Sequence, residues 1–440
     1  MSQVLLDRLL NGTLTDPETG GLLSVPVRKV TVGTDLARSA AQLIAPLDPG
    51  KRLVVVMDPE TRRAMGEVVY GALSHTHHVQ AVLLDHHPHP DMDAVERVMA
   101  ASPEASSLVA VGSGSINDIA KHAAHRSNKP YFVFGTAPSM NGYTSSSAAI
   151  TEQGLKKSLS STAPRGVFLD LDVLAAAPRR LIAAGFGDSI CRCTAQVDWL
   201  MSHLVRGTPY RELPFTLLRE DEAAIMTDPA RLIKGDREAI GLLARTLVLS
   251  GFGMTLCGGS YPASQSEHLI AHYLDMLGQD LPLAYHGEHI AVTTITVARL
   301  QERMLSRPGL AIRANRDTPA LFAREFGPEL GASCWSAFKS KLLGETQAAF
   351  LDQRMEQAWP AIRQRLLAVG RPSAQITAAL ASVDAPTQPA DVGIPSAFYA
   401  KALRNARRIR DRFGMLDLAE AAGELDDFIA AEAGRSMSDA

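Results

Sequence analysis

The sequence predicts an α/β domain with a parallel sheet, followed by an all-α domain. In the first part of the chain, short apolar runs alternate with helical segments, which is typical of βαβ units covered on both faces. After about residue 179 the strand pattern fades, and apolar residues recur at helical spacing between Gly and Pro breaks. We therefore predict an α/β domain over residues 1–178 and a helical domain over 179–440.

Each element follows from a local pattern. Strands are predicted where β-branched or aromatic runs end in turn residues, at 52–57, 79–84, 108–111 and 131–134. Helices are predicted in the first domain at about 61–73, 92–101 and directly after residue 114. Helical stretches in the second domain are predicted at 179–205, 236–256, 289–305, 336–368 and 396–434, with a surface loop at 383–395.

Composition excludes several classes of protein. The 440 residues are 46% hydrophobic and 21% charged with a formal net charge of −3, as in a soluble globular protein. A near-neutral chain gives no reason to expect nucleic acid or an anionic membrane as a partner. Four scattered cysteines do not form a disulfide framework, and neither a secretory leader nor a run of ~20 apolar residues is seen. We expect a reduced, cytoplasmic protein without a membrane span.

A glycine turn follows the third predicted strand in VAVGSGSINDIAK, residues 109–121. Gly112 and Gly114 allow close approach of a ligand, and a helix start predicted at Ser115, with Asp118 as its capping partner, offers N–H groups to a phosphate. The pattern resembles a Rossmann-like dinucleotide site, but the GxGxxG motif is incomplete because residue 117 is Asn. A turn that binds no ligand is the alternative.

Asp58 follows the first predicted strand and supports the same interpretation. A carboxylate at a strand end accepts hydrogen bonds from ribose hydroxyls in dinucleotide sites. Arg62 and Arg63 offer a place for a 2′-phosphate. Alternatively, Asp58 in DPET is a helix N-cap, and one residue can serve both roles.

A carboxylate and several histidines form a candidate metal site. Asp188 lies in AAGFGDSICR at a predicted helix start, His268 and His272 are four residues apart on one helical face, and His286 opens HGEHIAV. One Asp and two His suit Zn²⁺, Fe²⁺ or Ni²⁺ with positions open for a carbonyl or alkoxide oxygen. Capping or solvated histidines are the alternative. His289 is expected to support the site, and the runs at 75–78 and 86–89 to be solvated loops.

Five motifs occur in the order found in one family. GSGSINDIAK, TAPSMNGYTSSSA, GFGDSICRCTAQVDW, SQSEHLIAHYLDM and HGEHIAV resemble the sn-glycerol-1-phosphate dehydrogenases, which belong with iron-type alcohol dehydrogenases, glycerol dehydrogenase and 3-dehydroquinate synthase. The resemblance covers most of residues 28–300 and continues faintly at 408–419. It implies a dehydroquinate synthase-like fold with the active site between a nucleotide-binding domain and a helical metal- and substrate-binding domain. Relatives are often oligomeric, so a homo-oligomer is possible.

The resemblance also implies roles for individual residues. The NAD(P) site takes the pyrophosphate at Gly112, Ser113, Gly114, Ser115 and Ile116, the nicotinamide at Thr136, Ser139 and Ser145, and the adenosine ribose at Asp58. The metal ligands are Asp188, His268 and His286, with Zn²⁺ as the first choice and Ni²⁺ or Fe²⁺ as alternatives. His272 contacts substrate or relays a proton.

Two features bear on the substrate. The family motif usually reads TAPSMDGYAS with an Asp that touches substrate, whereas this chain has Asn141; Ser113 is a milder change from Gly. Lys156, Lys157 and Arg192 are candidates for binding a phosphate, with ordinary surface cations as the alternative.

The resemblance implies a metal-dependent, NAD(P)H-linked reduction of dihydroxyacetone phosphate to sn-glycerol 1-phosphate, and its reverse. The substrate is then a small phosphorylated ketone or polyol. Three alternatives remain open: a dehydrogenase of the same superfamily acting on another polyol or polyol phosphate, a cyclase like 3-dehydroquinate synthase, and a nucleotide-binding protein without catalysis.

Overall fold

The computed structural model describes residues 2–152 and 155–438. The side chains of residues 2, 155, 156 and 436–438 are outside this description, so the predicted substrate residue Lys156 lies outside the described side chains. The chain forms two units, the first comprising Met1–Ser189 and Arg211–Ser260, and the second Ile190–Tyr210 and Tyr261–Ala440.

The elements are numbered in chain order. The strands are β1 (Lys29–Gly33), β2 (Arg52–Met57), β3 (His78–Leu83), β4 (Ser107–Val111), β5 (Tyr131–Gly135), β6 (Ser147–Glu152), β7 (Leu155–Ser160) and β8 (Gly166–Asp170). The helices are α1 (Ser2–Leu10), α2 (Ala40–Ile44), α3 (Pro59–Thr61), α4 (Glu67–Ser74), α5 (Met92–Ala100), α6 (Gly114–Arg126), α7 (Leu171–Ala175), α8 (Arg179–Ile190), α9 (Arg192–Arg206), α10 (Leu213–Thr216), α11 (Arg219–Thr227), α12 (Arg237–Leu256), α13 (Ser266–Leu277), α14 (His286–Ser306), α15 (Pro319–Phe326), α16 (Pro328–Phe338), α17 (Glu345–Val369), α18 (Ser373–Ala381), α19 (Ser396–Asn405), α20 (Met415–Ala421) and α21 (Leu425–Ser438).

Six strands form one parallel sheet in the order β1-β8-β5-β4-β2-β3. The predicted parallel sheet is confirmed, and the four predicted strands match β2, β3, β4 and β5 to within one residue. Strands β4, β5 and β8 are buried throughout, as expected for a sheet covered on both faces. Because β3 lies on one side of β2 and β4 on the other, the order of strand addition reverses between β2 and β4. Ligands bind at the carboxyl ends of strands at such a switch point.

Two parts of the first unit were not predicted. Strands β1 and β8 complete one end of the sheet, and β6 and β7 form a separate antiparallel hairpin. The hairpin is attached to α6, because Asp118 Oδ2 accepts a hydrogen bond of 3.0 Å from the Ala149 N–H.

Helix α12 explains why the units differ from the predicted division at residue 178. It packs against β1, α7, α10 and α11, so residues 211–260 belong with the sheet although they read as helical. By length and composition alone this helix could cross a membrane, but 78% of its most apolar stretch is buried within the structure. A mostly buried helix of this kind is a core helix.

The described part of the second unit consists of helices, short 3₁₀ turns and loops, as predicted for the helical domain. Its core contains Trp359, Phe322 and Phe338, all with no exposed surface. Helix α13 packs against α14, against α9, and against the 3₁₀ turn Ala406–Ile409. These contacts fix the position of α13, which carries two of the predicted site histidines.

Candidate functional site

The glycine turn lies at the end of β4 in the first unit. Helix α6 begins at Gly114 with Ser113 as its N-cap, so the predicted cap at Ser115 is wrong and Ser115 is the second helical residue. A Cβ added to Gly112 would lie 2.5 Å from the Ile116 Cβ, because this turn is tight. A Cβ added to Gly114 would meet nothing within 4 Å, so the helix start faces open space. Free N–H groups facing such a space suit a phosphate.

Asp58 lies at the same edge of the sheet. It caps α3: its Oδ1 accepts a hydrogen bond of 2.7 Å from the Thr61 N–H, and its own N–H donates to Thr61 Oγ1. The N-cap alternative is therefore confirmed. Val56 pairs with Ala110 in the register of β2 and β4, so Asp58 and Gly112 are level with each other beside the switch point. This placement fits a dinucleotide, with the second carboxylate oxygen available for a ribose hydroxyl.

The loop between β5 and β6 carries the predicted nicotinamide residues. Thr136 and Ser145 are buried, whereas Ser139 is half-buried. Lys121 on α6 is fully buried and donates hydrogen bonds to the Gly142 carbonyl (2.6 Å), the Ser147 carbonyl (3.1 Å) and Ser145 Oγ (3.2 Å). Burial lowers the pKa of Lys121. Lys121 thus holds the loop in place, and Ser145 contributes to that packing.

Two glycines allow helices α8 and α12 to approach this loop closely. A Cβ on Gly185 of α8 would lie 1.6 Å from the Pro138 carbonyl oxygen, and one on Gly251 of α12 would lie 2.1 Å from Thr144 Oγ1. Only a residue without a side chain permits these helix–loop contacts. The loop is therefore fixed by backbone packing.

We expect Gly185→Ala to lower the free energy of unfolding by about 3 kcal/mol, since backbone must move to relieve the overlap. The matched control is Gly71→Ala in α4, where a Cβ meets nothing within 4 Å and alanine favours the helix. Chemical denaturation of both variants measures the difference. Equal stabilities for the two variants would contradict the close approach of α8 to the loop.

Asn141 in this loop binds the side chain of Asp188. The Asn141 main-chain N–H donates to Asp188 Oδ2 at 2.9 Å, and its side-chain Nδ2 donates to Oδ1 at 3.3 Å. Asp188 is only 2% exposed and lies in the last turn of α8, so the predicted position at a helix start is wrong. Asn141 therefore orients the carboxylate through one main-chain and one side-chain hydrogen bond.

Three histidines cluster in the second unit. His268 and His272 lie one turn apart on α13, as predicted, and His286 is the first residue of α14. The ring centroids are 5.9 Å apart for His268 and His272, 5.3 Å for His268 and His286, and 5.7 Å for His272 and His286. Imidazoles this close, two of them from one helix, form a dense set of nitrogen donors.

Glu267 orients one of these rings. Its Oε1 lies 3.1 Å from His268 Nδ1 and also accepts from the Gln265 N–H at 2.8 Å. A proton on Nδ1 puts the lone pair on Nε2, which is the usual arrangement of a metal-ligating imidazole.

A second buried carboxylate lies near Glu267. Burial, with the neighbouring Glu267 charge, raises the pKa of Asp198 to about 6. Asp198 also accepts a hydrogen bond of 2.8 Å from Gln301 Nε2.

Asp275 lies close to two histidines of α14. Its Oδ1 lies 3.0 Å from His289 Nδ1, and its Oδ2 lies 3.9 Å from His286 Nδ1. Desolvation is the main cause that lowers the pKa of His272 well below its usual range, and the Arg410 charge adds to it. His272 is therefore a neutral imidazole near pH 7.

The structure also describes the remaining predicted residues. Arg192 is buried at the start of α9. Lys157 forms an ion pair of 2.8 Å with Glu152 across the β6–β7 hairpin. The two histidine-rich runs lie at opposite ends of β3 and are mostly exposed, as predicted, but His78 belongs to the strand and not to a loop.

Sequence reasoning missed several supporting residues. Glu267 directly precedes a predicted ligand, which was a visible signal, and Lys121 is a fully buried lysine of α6. Cys191, Glu267 and His268 each offer one potential ligand atom within 4.8 Å of the others, all buried in the second unit. Asp275 and Arg410 had no signal beyond their residue types.

Comparisons with known proteins agree with this picture. Residues 31–178 match the model of the iron-containing alcohol dehydrogenase family. The glycerol-1-phosphate dehydrogenase [NAD(P)+] of Geobacillus thermodenitrificans is 29% identical over 83% of this chain and 86% of its own length. The enzyme of that name from Pyrococcus furiosus is 31% identical over 62% of this chain and 78% of its own length.

A solved structure supports the fold. A probable glycerol dehydrogenase from Sinorhizobium meliloti superposes with a TM-score of 0.63 at 19% identity, covering 94% of this chain and 98% of that one. Together with the parallel sheet and the helical second unit, this confirms the predicted fold class. The chain belongs to the glycerol-1-phosphate dehydrogenase family of NAD(P)-linked oxidoreductases, within the iron-type alcohol dehydrogenase superfamily.

Proposed function

We propose that this protein reduces dihydroxyacetone phosphate to sn-glycerol 1-phosphate with NAD(P)H, and catalyses the reverse reaction, with one divalent metal ion. The observation that carries the proposal is the histidine cluster of α13 and α14, with His268 oriented by Glu267. The names of the relatives supply the substrate.

The cofactor site would be built on the glycine turn. Gly112, Ser113, Gly114, Ser115 and Ile116 would contact the pyrophosphate, Asp58 the adenosine ribose, and Thr136, Ser139 and Ser145 the nicotinamide end. The open space at Gly114 and the carboxylate at the switch point support this assignment. The rigid loop held by Lys121 would fix the nicotinamide for hydride transfer.

Asp188, His268 and His286 would hold the metal ion, with Zn²⁺ as first choice and Ni²⁺ or Fe²⁺ as alternatives. The donor set fits, since a buried carboxylate and two imidazoles suit these ions and both Asp188 and His268 have orienting partners. When bound, the metal supplies Lewis-acid stabilisation for negative charge on the substrate oxygen.

The protein's own groups would orient substrate and move the proton. His272, neutral near pH 7, would donate an N–H hydrogen bond to the substrate oxygen and would relay a proton to it, its second ring nitrogen taking up a proton from water as the first releases one. Arg192 and Asn141 would be additional substrate contacts, and Asn141 would also orient Asp188.

A second candidate is another polyol or polyol phosphate. The Asn141 amide is already engaged with Asp188, whereas family members usually carry a substrate-contacting Asp at this place. A neutral amide recognises a different hydrogen-bond pattern from a carboxylate.

The test is NADH and NADPH oxidation by the enzyme loaded in turn with Zn²⁺, Ni²⁺ and Fe²⁺, with dihydroxyacetone phosphate as substrate. We expect stoichiometric loss of the reduced cofactor and formation of the sn-1 enantiomer. Turnover restricted to another polyol would favour the second candidate. Catalysis without net cofactor consumption would overturn the dehydrogenase proposal.

A further inference from the structure

The C-terminal part of the second unit is rich in arginine, and most of these charges are compensated. Asp317 receives hydrogen bonds of 2.7 Å from both Arg407 and Arg408, and Arg407 lies 3.8 Å from Asp417. Such pairing is the rule for guanidinium groups removed from water.

Arg410 differs from these neighbours. Its guanidinium has no hydrogen bond or ion pair with any residue in the described ranges 2–152 and 155–438. Desolvation lowers its pKa, and the adjacent Asp411 offsets this only in part. Arg410 is half-buried, so its unpaired charge is only partly hydrated and is stabilised when an anion reaches it.

The backbone on either side of Arg410 is fixed against α13. The 3₁₀ turn Ala406–Ile409 packs on this helix, and Arg412 donates a hydrogen bond to the Ser264 carbonyl just before it. The Arg412 guanidinium also lies 4.7 Å from the Tyr261 ring centroid. Arg410 is held between these two anchors.

The result is a positive charge beside the histidine cluster. Arg410 directly follows the 3₁₀ turn that packs on α13, the helix of His268 and His272, and its positive charge helps to lower the pKa of His272. It also acts on Arg412, so two guanidinium groups share a desolvated region. An anionic group bound there would offset this excess of positive charge.

We propose that Arg410 binds the phosphate group of the substrate, a phosphate monoester. This inference rests on the proposed function and gives the phosphate a partner in the second unit. A guanidinium offers two parallel N–H donors that match two phosphate oxygens, which a lysine does not. The phosphates of the cofactor have their own place at the start of α6, in the first unit.

The experiment compares two substrates that differ only in the phosphate. Arg410→Gln should lower kcat/KM for dihydroxyacetone phosphate about 100-fold, mostly through KM, because two charge-assisted hydrogen bonds are lost. It should leave kcat/KM for dihydroxyacetone within about threefold, since that substrate makes no phosphate contact. Arg410→Lys should recover part of the loss. Arg404→Gln is the matched control, because Arg404 is an exposed residue of the same segment paired with Asp426.

A binding measurement separates this inference from the proposed function. Calorimetric titration of the metal-loaded enzyme with inorganic phosphate should give binding by wild type and at least about tenfold weaker binding by Arg410→Gln. This holds even if wild type does not reduce dihydroxyacetone phosphate. Equal losses on both substrates, or unchanged phosphate binding in a variant with wild-type circular dichroism and melting temperature, would overturn the role of Arg410. An increased KM for NADPH alone would assign Arg410 to the cofactor and would also overturn it.

Discussion

His268→Ala is expected to release the metal ion and to lower kcat by about 10³-fold or more, because the charge that stabilises the substrate oxygen is lost with the ion. His268 is central in the cluster: its ring is within 6 Å of both neighbouring imidazoles, and Glu267 fixes its orientation. Metal content measured by mass spectrometry on purified protein gives a readout that does not depend on turnover.

The matched control for this change is His86→Ala, which removes an exposed imidazole in the loop after β3. It should retain wild-type metal content and activity. A chelator applied to wild type should reproduce the loss, and Zn²⁺ should restore the activity of wild type but not of His268→Ala. Full metal occupancy in His268→Ala would show that this ring is not a ligand.

Asn141→Asp is expected to destabilise the metal-free enzyme and to tighten metal binding. The change replaces an Nδ2 donor, 3.3 Å from Asp188 Oδ1, by a carboxylate. Two carboxylates at that distance repel, at a cost on the order of 1–3 kcal/mol after local relaxation. A divalent cation on Asp188 would offset the repulsion, so metal affinity should rise about tenfold or more.

Melting temperatures with chelator and with saturating Zn²⁺ measure both effects. Asn141→Asp should melt below wild type in chelator and gain more from Zn²⁺ than wild type does. Asn141→Ala removes the side-chain donor without adding charge and should show a smaller change in both conditions. If Asn141→Asp and Asn141→Ala respond alike, charge at this position does not govern the Asp188 carboxylate.

Much of the sheet could be predicted because its strands are short, continuous apolar runs. Residues 52–57 and 131–134 read as buried strands, and their neighbours bury both faces. The missed β1 is mostly half-exposed, and β6 (SAAITE) has only three consecutive apolar residues, so neither reads as a long apolar run. Their identity depends on partners distant in the chain, which local patterns do not reveal.

Part of the candidate site could likewise be predicted from the sequence, and part could not. The spacing of His268 and His272 required only helical periodicity, and the rings do lie together. The predicted position of Asp188 was wrong, because α8 begins at Arg179 and runs through Gly185, a packing residue, to place Asp188 in its last turn. Other partners of the site residues, such as Asp275 for His289, lie on a different helix and follow from tertiary packing that a single sequence does not encode locally.

The discontinuity of the first unit also has a consequence for synthesis on the ribosome. The last strand of the sheet ends at Asp170, but α12, which packs on β1, is complete only at Leu256. At about 5–20 residues per second, the nascent sheet waits roughly 4–17 s for this covering helix. During that interval apolar surface at the β1 end is open to chaperones, and a chain shortened before residue 256 keeps it exposed permanently.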